Sequence, residues 1–296
     1  MKKRYWFLII IGLFLFFAII SDKKPAPIPP PFESRDVPKG FILWPINPDP
    51  QYSNALFQKA GEGMNIIGVQ KGNPFEEPGP GEAPNENELL NVWLERAKAE
   101  GYKTYLALEP WNGDRSALDP LRGKITPLAL ITDTAWQNAF LDMVEVNVNR
   151  HKPDYFNPCV EANMWKEQVS ASQWEEFRAL YTEAYQRVKA ISPNTKVFCS
   201  LQYDIIAGKF FYGGGSKWAL LDDPDVALEH QDFLGISTYP HGNIRDDWFD
   251  GLRDRAHNLP PVFVAEMGWI NSDPTYPMTL VSAQKQKELI KTLYLK

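Results

Sequence analysis

From Gly40 onward, short runs of apolar residues alternate with longer stretches whose apolar positions recur every three or four residues. The first pattern suits strands buried on both faces, the second amphipathic helices. Residues 41–44, 65–70, 103–109, 196–201, 233–239 and 262–265 are read as strands, with a further one, fourth in order, leading to Glu161. Helices are predicted at residues 54–64, 85–100, 132–150, 216–230, 245–258 and 282–295. One more opens at Ser172-Gln-Trp-Glu175, a capping-box pattern, and carries Trp174, Phe177, Tyr181 and Ala184 at helical spacing.

Seven such units without a dinucleotide fingerprint predict an α/β chain folded as a (β/α)8 TIM barrel over residues 40–296. The chain ends on its seventh helix, so the barrel is expected to lack an eighth strand. Either the sequence is a fragment, or the closing strand is borrowed or absent. An open barrel would expose the edges of strands one and seven at a cost, which points to truncation.

Residues 1–20 follow a different rule. Met1-Lys-Lys-Arg4 is basic, and residues 5–20 are apolar apart from Gly12. This is the layout of an export signal, a little shorter than the roughly 20 residues that span a bilayer. No small-x-small cleavage site follows, and no cysteine is there to take a lipid. An uncleaved anchor in the cell membrane is therefore expected, with the barrel outside the cytoplasm; a removed signal and a secreted protein are the alternative. Residues 21–39 form a proline-rich linker, extended and stiff enough to hold the barrel off the membrane.

Composition narrows the partners. Net charge is −6, and no Lys/Arg cluster interleaved with aromatics occurs, so nucleic acid is not expected. Ten Trp, twelve Tyr and seventeen Phe supply rings that stack on sugars or fill a core. Cys159 and Cys199 fall on strands expected to be neighbours and read as two buried thiols. The four histidines lack metal-ligand spacing, and no Gly-x-Ser-x-Gly elbow or phosphate-binding loop is present. No metal or cofactor is expected.

Glu161 and Glu266 each stand just past an apolar run, at the ends of strands four and seven, with aromatics around both; Glu109 ends strand three. In a barrel those ends meet at the carboxyl face, where reacting groups sit. Two carboxyls there can divide proton donation from attack on a glycosidic bond.

Three segments carry a resemblance. Cys159-Val-Glu-Ala-Asn163, Leu234-Gly-Ile-Ser-Thr-Tyr-Pro240 and Ala265-Glu-Met-Gly-Trp269 resemble the motifs of clan A glycoside hydrolases, most of all the family 53 arabinogalactan endo-β-1,4-galactanases. The resemblance implies a retaining hydrolase of a β-linked polysaccharide or oligosaccharide, with Glu161 as acid/base and Glu266 as nucleophile. It implies that Tyr239 donates a hydrogen bond to Glu266, and that Asn163 and Trp269 line the sugar site. Trp44, Trp111 and Trp165 also fall near strand ends and are candidate sugar platforms. The chain departs from the clan at Val160, where an asparagine usually contacts the sugar. That departure keeps open a second reading, a membrane-anchored barrel that binds glycan without cleaving it.

Overall fold

The computed structural model describes residues 8–10, 39–43, 50–61, 63–76, 85–121, 130–209, 215–239, 248–255 and 260–267. The strands are β1 (Leu8–Ile10), β2 (Lys39–Leu43), β3 (Ile66–Gly72), β4 (Lys103–Glu109), β5 (Tyr155–Asn157), β6 (Lys196–Val197), β7 (Ser200–Gln202), β8 (Leu234–Thr238) and β9 (Val262–Met267). The helices are α1 (Pro50–Ala60), α2 (Glu86–Ala99), α3 (Thr134–His151), α4 (Ala162–Lys166), α5 (Ala171–Ile191), α6 (Tyr203–Ile206), α7 (Ala219–Asp222) and α8 (Asp250–Arg255).

All strand pairings are parallel, in the order β6-β5-β4-β3-β2-β1-β9-β8-β7. β6 and β7 are halves of one run joined by Phe198 and Cys199, so the sheet closes on itself through the chain. This is a partial (β/α)8 TIM barrel. The eighth place, for which the sequence offered no strand after the seventh unit, is taken by β1 from the other end of the chain. Ile9 registers with Lys39 on one side and Val264 on the other. Three residues of the expected membrane segment thus lie in the sheet. The rest of that segment, nearly all of the linker and the helix predicted at 282–295 lie outside the described residues. Among the described residues, no helix is long and apolar enough to cross a membrane.

Local chemistry explains the helix ends. Asn85 caps α2 by accepting from Glu88 N at 3.2 Å, and Asp133 caps α3 by accepting from Ala135 N at 2.9 Å. The capping box of α5 falls two residues before its predicted place, on Ser170 and Gln173. Ser170 is the last extended residue (φ −70°, ψ 160°), whereas Ser172 already lies inside the helix. The helix predicted at 216–230 shortens to the single turn of α7. Asp223 is extended ahead of Pro224, a conformation that proline imposes on the residue before it.

Ile66, Tyr105, Ala107, Tyr155, Val160, Phe198, Phe263 and Ala265 fill the barrel interior. Phe263 gathers Phe198 and Tyr155 at centroid separations of 4.7 and 5.1 Å. Two glycines admit these rings. A Cβ at Gly235 would lie 2.4 Å from Phe198 Cδ2, and one at Gly68 would lie 2.7 Å from Tyr105 Cδ1. The interior is therefore an aromatic plug, and polar chemistry is confined to the mouth where the strands end.

Candidate active site

Glu161 reaches that mouth through a tight turn. After β5 the chain passes Pro158, Cys159 and Val160, and Glu161 takes a left-handed backbone conformation, φ 54°. Such a conformation is uncommon for a residue with a Cβ and persists where surrounding bonds fix it. Four of them do so here. Cys159 N donates to Asn157 Oδ1 (3.2 Å), Val160 N to Leu108 O (3.1 Å), Glu161 N to Ser200 Oγ (3.0 Å), and Trp111 Nε1 to Val160 O (2.9 Å).

Glu266 arrives by a different device. Phe263 and Ala265 alternate into the barrel interior, so Glu266 would by parity face the helices. The register of β8 with β9 runs Ile236↔Val264 and then Ser237↔Glu266, which leaves Ala265 as an extra residue. A one-residue slip reverses the facing of every side chain beyond it. The bulge therefore brings Glu266 to the mouth beside Ser237, and both glutamates are buried there.

A third group, Arg115, comes from the loop after β4. That loop is cross-braced: Asp119 N donates to Pro110 O (3.0 Å), Asn112 N to Ala117 O (2.9 Å) and Arg115 N to Asn112 O (2.9 Å). Arg115 points back over the strand ends, with Nη1 2.5 Å from Glu109 Oε1 and Nη2 3.2 Å from Glu161 Oε2; Nη1 also donates to Gly113 O. Gln70 Nε2 donates to the other oxygen of Glu109 at 3.3 Å. Among the described residues, Arg115 Nε, Glu161 Oε1 and Ser237 Oγ are buried without a hydrogen-bond partner.

Electrostatics tie the two glutamates together. Burial pushes Glu266 up to about 8; the charge of Glu161 pushes in the same direction, while the Tyr239 hydroxyl and then Arg115 oppose it. Glu161 is also raised by burial, but Arg115 is the strongest opposing influence, with the Ser237 and Tyr239 hydroxyls behind it. Ser237 Oγ and Glu161 Oε1 each lack a partner at bonding geometry, so we count Ser237 as a polar neighbour and not as a bonded donor. Tyr239 faces both carboxyls, and its own hydroxyl is raised well above the usual range by burial and by their charges. Asp119, on the same loop as Arg115, is pushed up to about 6 by burial and then by Glu109 and Glu76.

The structure thus brings Glu161, Glu266 and Tyr239 together. Asn163 lies beside them but faces the frame: its Nδ2 donates to Gln202 O (3.0 Å) and its Oδ1 accepts from Gln202 N (2.6 Å), fastening α4 to β7. Trp111 and Trp165 are buried, stacked on each other at 6.0 Å and packed on Phe177, where they support the turn that carries Glu161. Trp44 and Trp269 lie outside the described residues. Sequence reading passed over Arg115 and Asp204. Asp204 accepts from Tyr239 N (2.9 Å), Thr238 Oγ1 (2.9 Å) and Gln202 Nε2 (2.8 Å), and so sets the end of β8. The run Glu109-Pro-Trp-Asn-Gly-Asp-Arg115, with turn formers between an acid and a base, was the available signal.

No known protein-family profile matches the chain, and no curated protein matches it in sequence. Solved structures match it in fold, and the most similar are glycoside hydrolases. The exo-β-1,4-mannosidase Op5Man5 from Opitutaceae bacterium strain TAV5 aligns over 86% of this chain and 48% of its own length, with TM-score 0.56 and 14% identity. The β-glycosidase BGL167 aligns over 83% and 72%, with TM-score 0.52 and 14% identity. A GH113 β-1,4-mannanase aligns over 83% and 76%, with TM-score 0.50 and 13% identity. At these identities the likeness is one of fold. It gives no preference to the family 53 galactanases, whose resemblance rests on the three short segments.

Proposed function

We propose that this chain is a retaining glycoside hydrolase that cleaves a β-linked polysaccharide or oligosaccharide by double displacement. One observation carries the reading: Glu161 and Glu266, brought in by a strained turn and by a bulge, are buried at one barrel mouth with Tyr239 facing both. Such a pair matches a mechanism in which one carboxyl protonates the leaving oxygen while the other attacks the anomeric carbon.

Under the roles the resemblance implies, Glu266 forms a bond to the anomeric carbon as the glycosidic C–O bond breaks, and Glu161 gives its proton to the departing oxygen. Glu161 then takes a proton from water, which attacks the same carbon and releases Glu266. This chemistry requires carboxyl groups about 5–5.5 Å apart. The substrate panel should begin with β-1,4-mannans, the linkage named for two of the fold neighbours, and include β-1,4-galactan. The test follows the anomeric configuration of the first-formed product by NMR, with Glu161→Gln as control. Retention supports the proposal, and inversion refutes it.

A second reading, glycan binding without cleavage, is favoured by Val160. Its side chain belongs to the apolar interior, where the clan usually places a hydrogen-bonding asparagine. Binding of a panel glycan by the parent without any turnover would support that reading. Membrane attachment through residues 1–20 is likewise proposed, on the basic start and the apolar stretch. A segment cannot both span a bilayer and fill the β1 place in the sheet, so the two uses of Leu8–Ile10 exclude each other.

A further inference from the structure

The hydrolase reading gives no role to the buried guanidinium of Arg115. We propose that Arg115 is a positioning residue that holds Glu161 charged and thereby keeps the shared proton of the pair on Glu266 in the free protein. The consequence for catalysis rests on the function proposed above, but the proton placement itself does not.

The geometry makes the case. Arg115 is nine-tenths buried, and its two terminal nitrogens meet Glu109 and Glu161 at 2.5 and 3.2 Å. A cation this close to a buried carboxylate favours its charged form. Every element around the pair bears on the same balance. From β4 come Tyr105 and Glu109, from its following loop Arg115 and Asp119, from α6 Asp204, and from β8 and just beyond it Ser237 and Tyr239. Asp204 accepts from Gln202 Nε2, Thr238 Oγ1 and Tyr239 N. Glu109 has Arg115 and Gln70. Glu161 has the second arm of Arg115. Glu266 is left with burial and the charge of Glu161 against it, and only the Tyr239 hydroxyl ahead of Arg115 in its favour.

Arg115 is also held as a device would be. Its own backbone is left-handed (φ 59°), and the braces across the loop keep it there. Its Nε and the second oxygen of Glu161 are buried without hydrogen-bond partners among the described residues. The roles implied by the resemblance need the proton on Glu161 and the charge on Glu266. Substrate entry must then move one proton across the pair, and the Tyr239 hydroxyl acts on both carboxyls.

The test is a carboxyl titration of the protein labelled with carbon-13 at glutamate Cδ, with Glu161→Gln and Glu266→Gln spectra assigning the two signals. In the parent, Glu161 is expected to titrate at lower pH than Glu266. Arg115→Met is expected to raise the Glu161 midpoint by about 1 to 3 pH units, the span a nearby opposite charge produces. Arg115→Lys keeps the charge and should preserve the order. Glu161 titrating above Glu266 in the parent, or a Glu161 midpoint unmoved in Arg115→Met, would overturn the proposal. If Arg115→Met does not fold, the parent order and Arg115→Lys still decide. The titration uses no substrate, so a parent inactive on every glycan counts against the hydrolase reading and leaves this one standing.

Discussion

Replacing Glu266 with glutamine should remove the proposed nucleophile and yet stabilise the protein, by an amount that grows with pH. In the unfolded chain this carboxyl titrates near its ordinary value of 4.5, and in the folded site burial pushes it up to about 8. Between those values the folded protein holds a proton that the unfolded chain has released. Stability then falls as pH rises, by about 1.4 kcal/mol per pH unit. The contribution is fully present below pH 4.5 and is lost as pH approaches 8. A glutamine does not titrate, so the variant escapes the loss while keeping the side-chain shape. The two proteins should match near pH 4.5. At pH 7 they should differ by about 3 kcal/mol, and above pH 8 by up to about 5 kcal/mol. For a chain of this size about 3 kcal/mol corresponds to roughly 6 to 12 °C in melting temperature. Urea unfolding of both proteins at pH 4.5, 6 and 7.5 measures it. A difference that stays constant across that range would refute the argument, because it would show that Glu266 titrates alike in the folded and unfolded chains.

Three further outcomes follow from the frame around the site. Gly235→Ala puts a methyl 2.4 Å from Phe198 Cδ2 in the aromatic plug and should lower stability by about 1 to 3 kcal/mol; an unchanged melt would show that the ring has room to move. Asn163→Ala strands the N–H and C=O of Gln202 and should lower stability by about 2 to 4 kcal/mol, read by urea unfolding at pH 7; a loss under 0.5 kcal/mol, roughly the scatter of surface changes, would sink it. Deleting residues 1–31 takes β1 out of the sheet, bares the edges of β2 and β9 and should lower the melt. An unchanged melt, with the protein moved from the membrane fraction to the soluble one, would assign Leu8–Ile10 to the membrane instead.

Much of the barrel was legible because buried parallel strands read as unbroken apolar runs. The run at 103–109 is reproduced to the residue as β4, and the helix predicted at 85–100 differs from α2 by a residue at each end. Legibility failed where the signal was not periodic. The break of the fifth strand at Phe198 and Cys199 is invisible in Lys196-Val-Phe-Cys-Ser-Leu201, because apolarity continues through it. The bulge at Ala265 has no local mark either, since a bulge is a property of two strands together. Sequence placed Glu266 at a strand end and could not show that parity alone would have turned it away from the mouth. The part of α5 that packs was plain from its aromatic spacing, whereas its cap was misplaced by two residues because two serines compete for the same pattern.

Arg115 was hidden for a deeper reason, and that reason bears on how the site works. An arginine in a turn reads as solvated, and nothing in its neighbourhood of sequence says that it folds back over acids from two other places in the chain. Only the count of charges in space reveals its weight. Glu109, Glu161, Glu266 and Asp204 converge on one mouth where Arg115 is the cation that meets two of them. Among the described residues, these four buried acids and Asp119 share one base, Arg115, and all cannot be ionised without several kcal/mol of uncompensated desolvation. Asp204 accepts from three donors. Glu109 and Glu161, though raised by burial, each meet an arm of Arg115, whereas Glu266, turned inward by the β9 bulge, meets neither arm. General acid catalysis at neutral pH requires a protonated carboxyl beside a charged one, and under the proposed roles that proton must pass from Glu266 to Glu161 before the glycosidic bond breaks. Among the described residues, the loop that carries Arg115 decides which glutamate holds the proton beforehand.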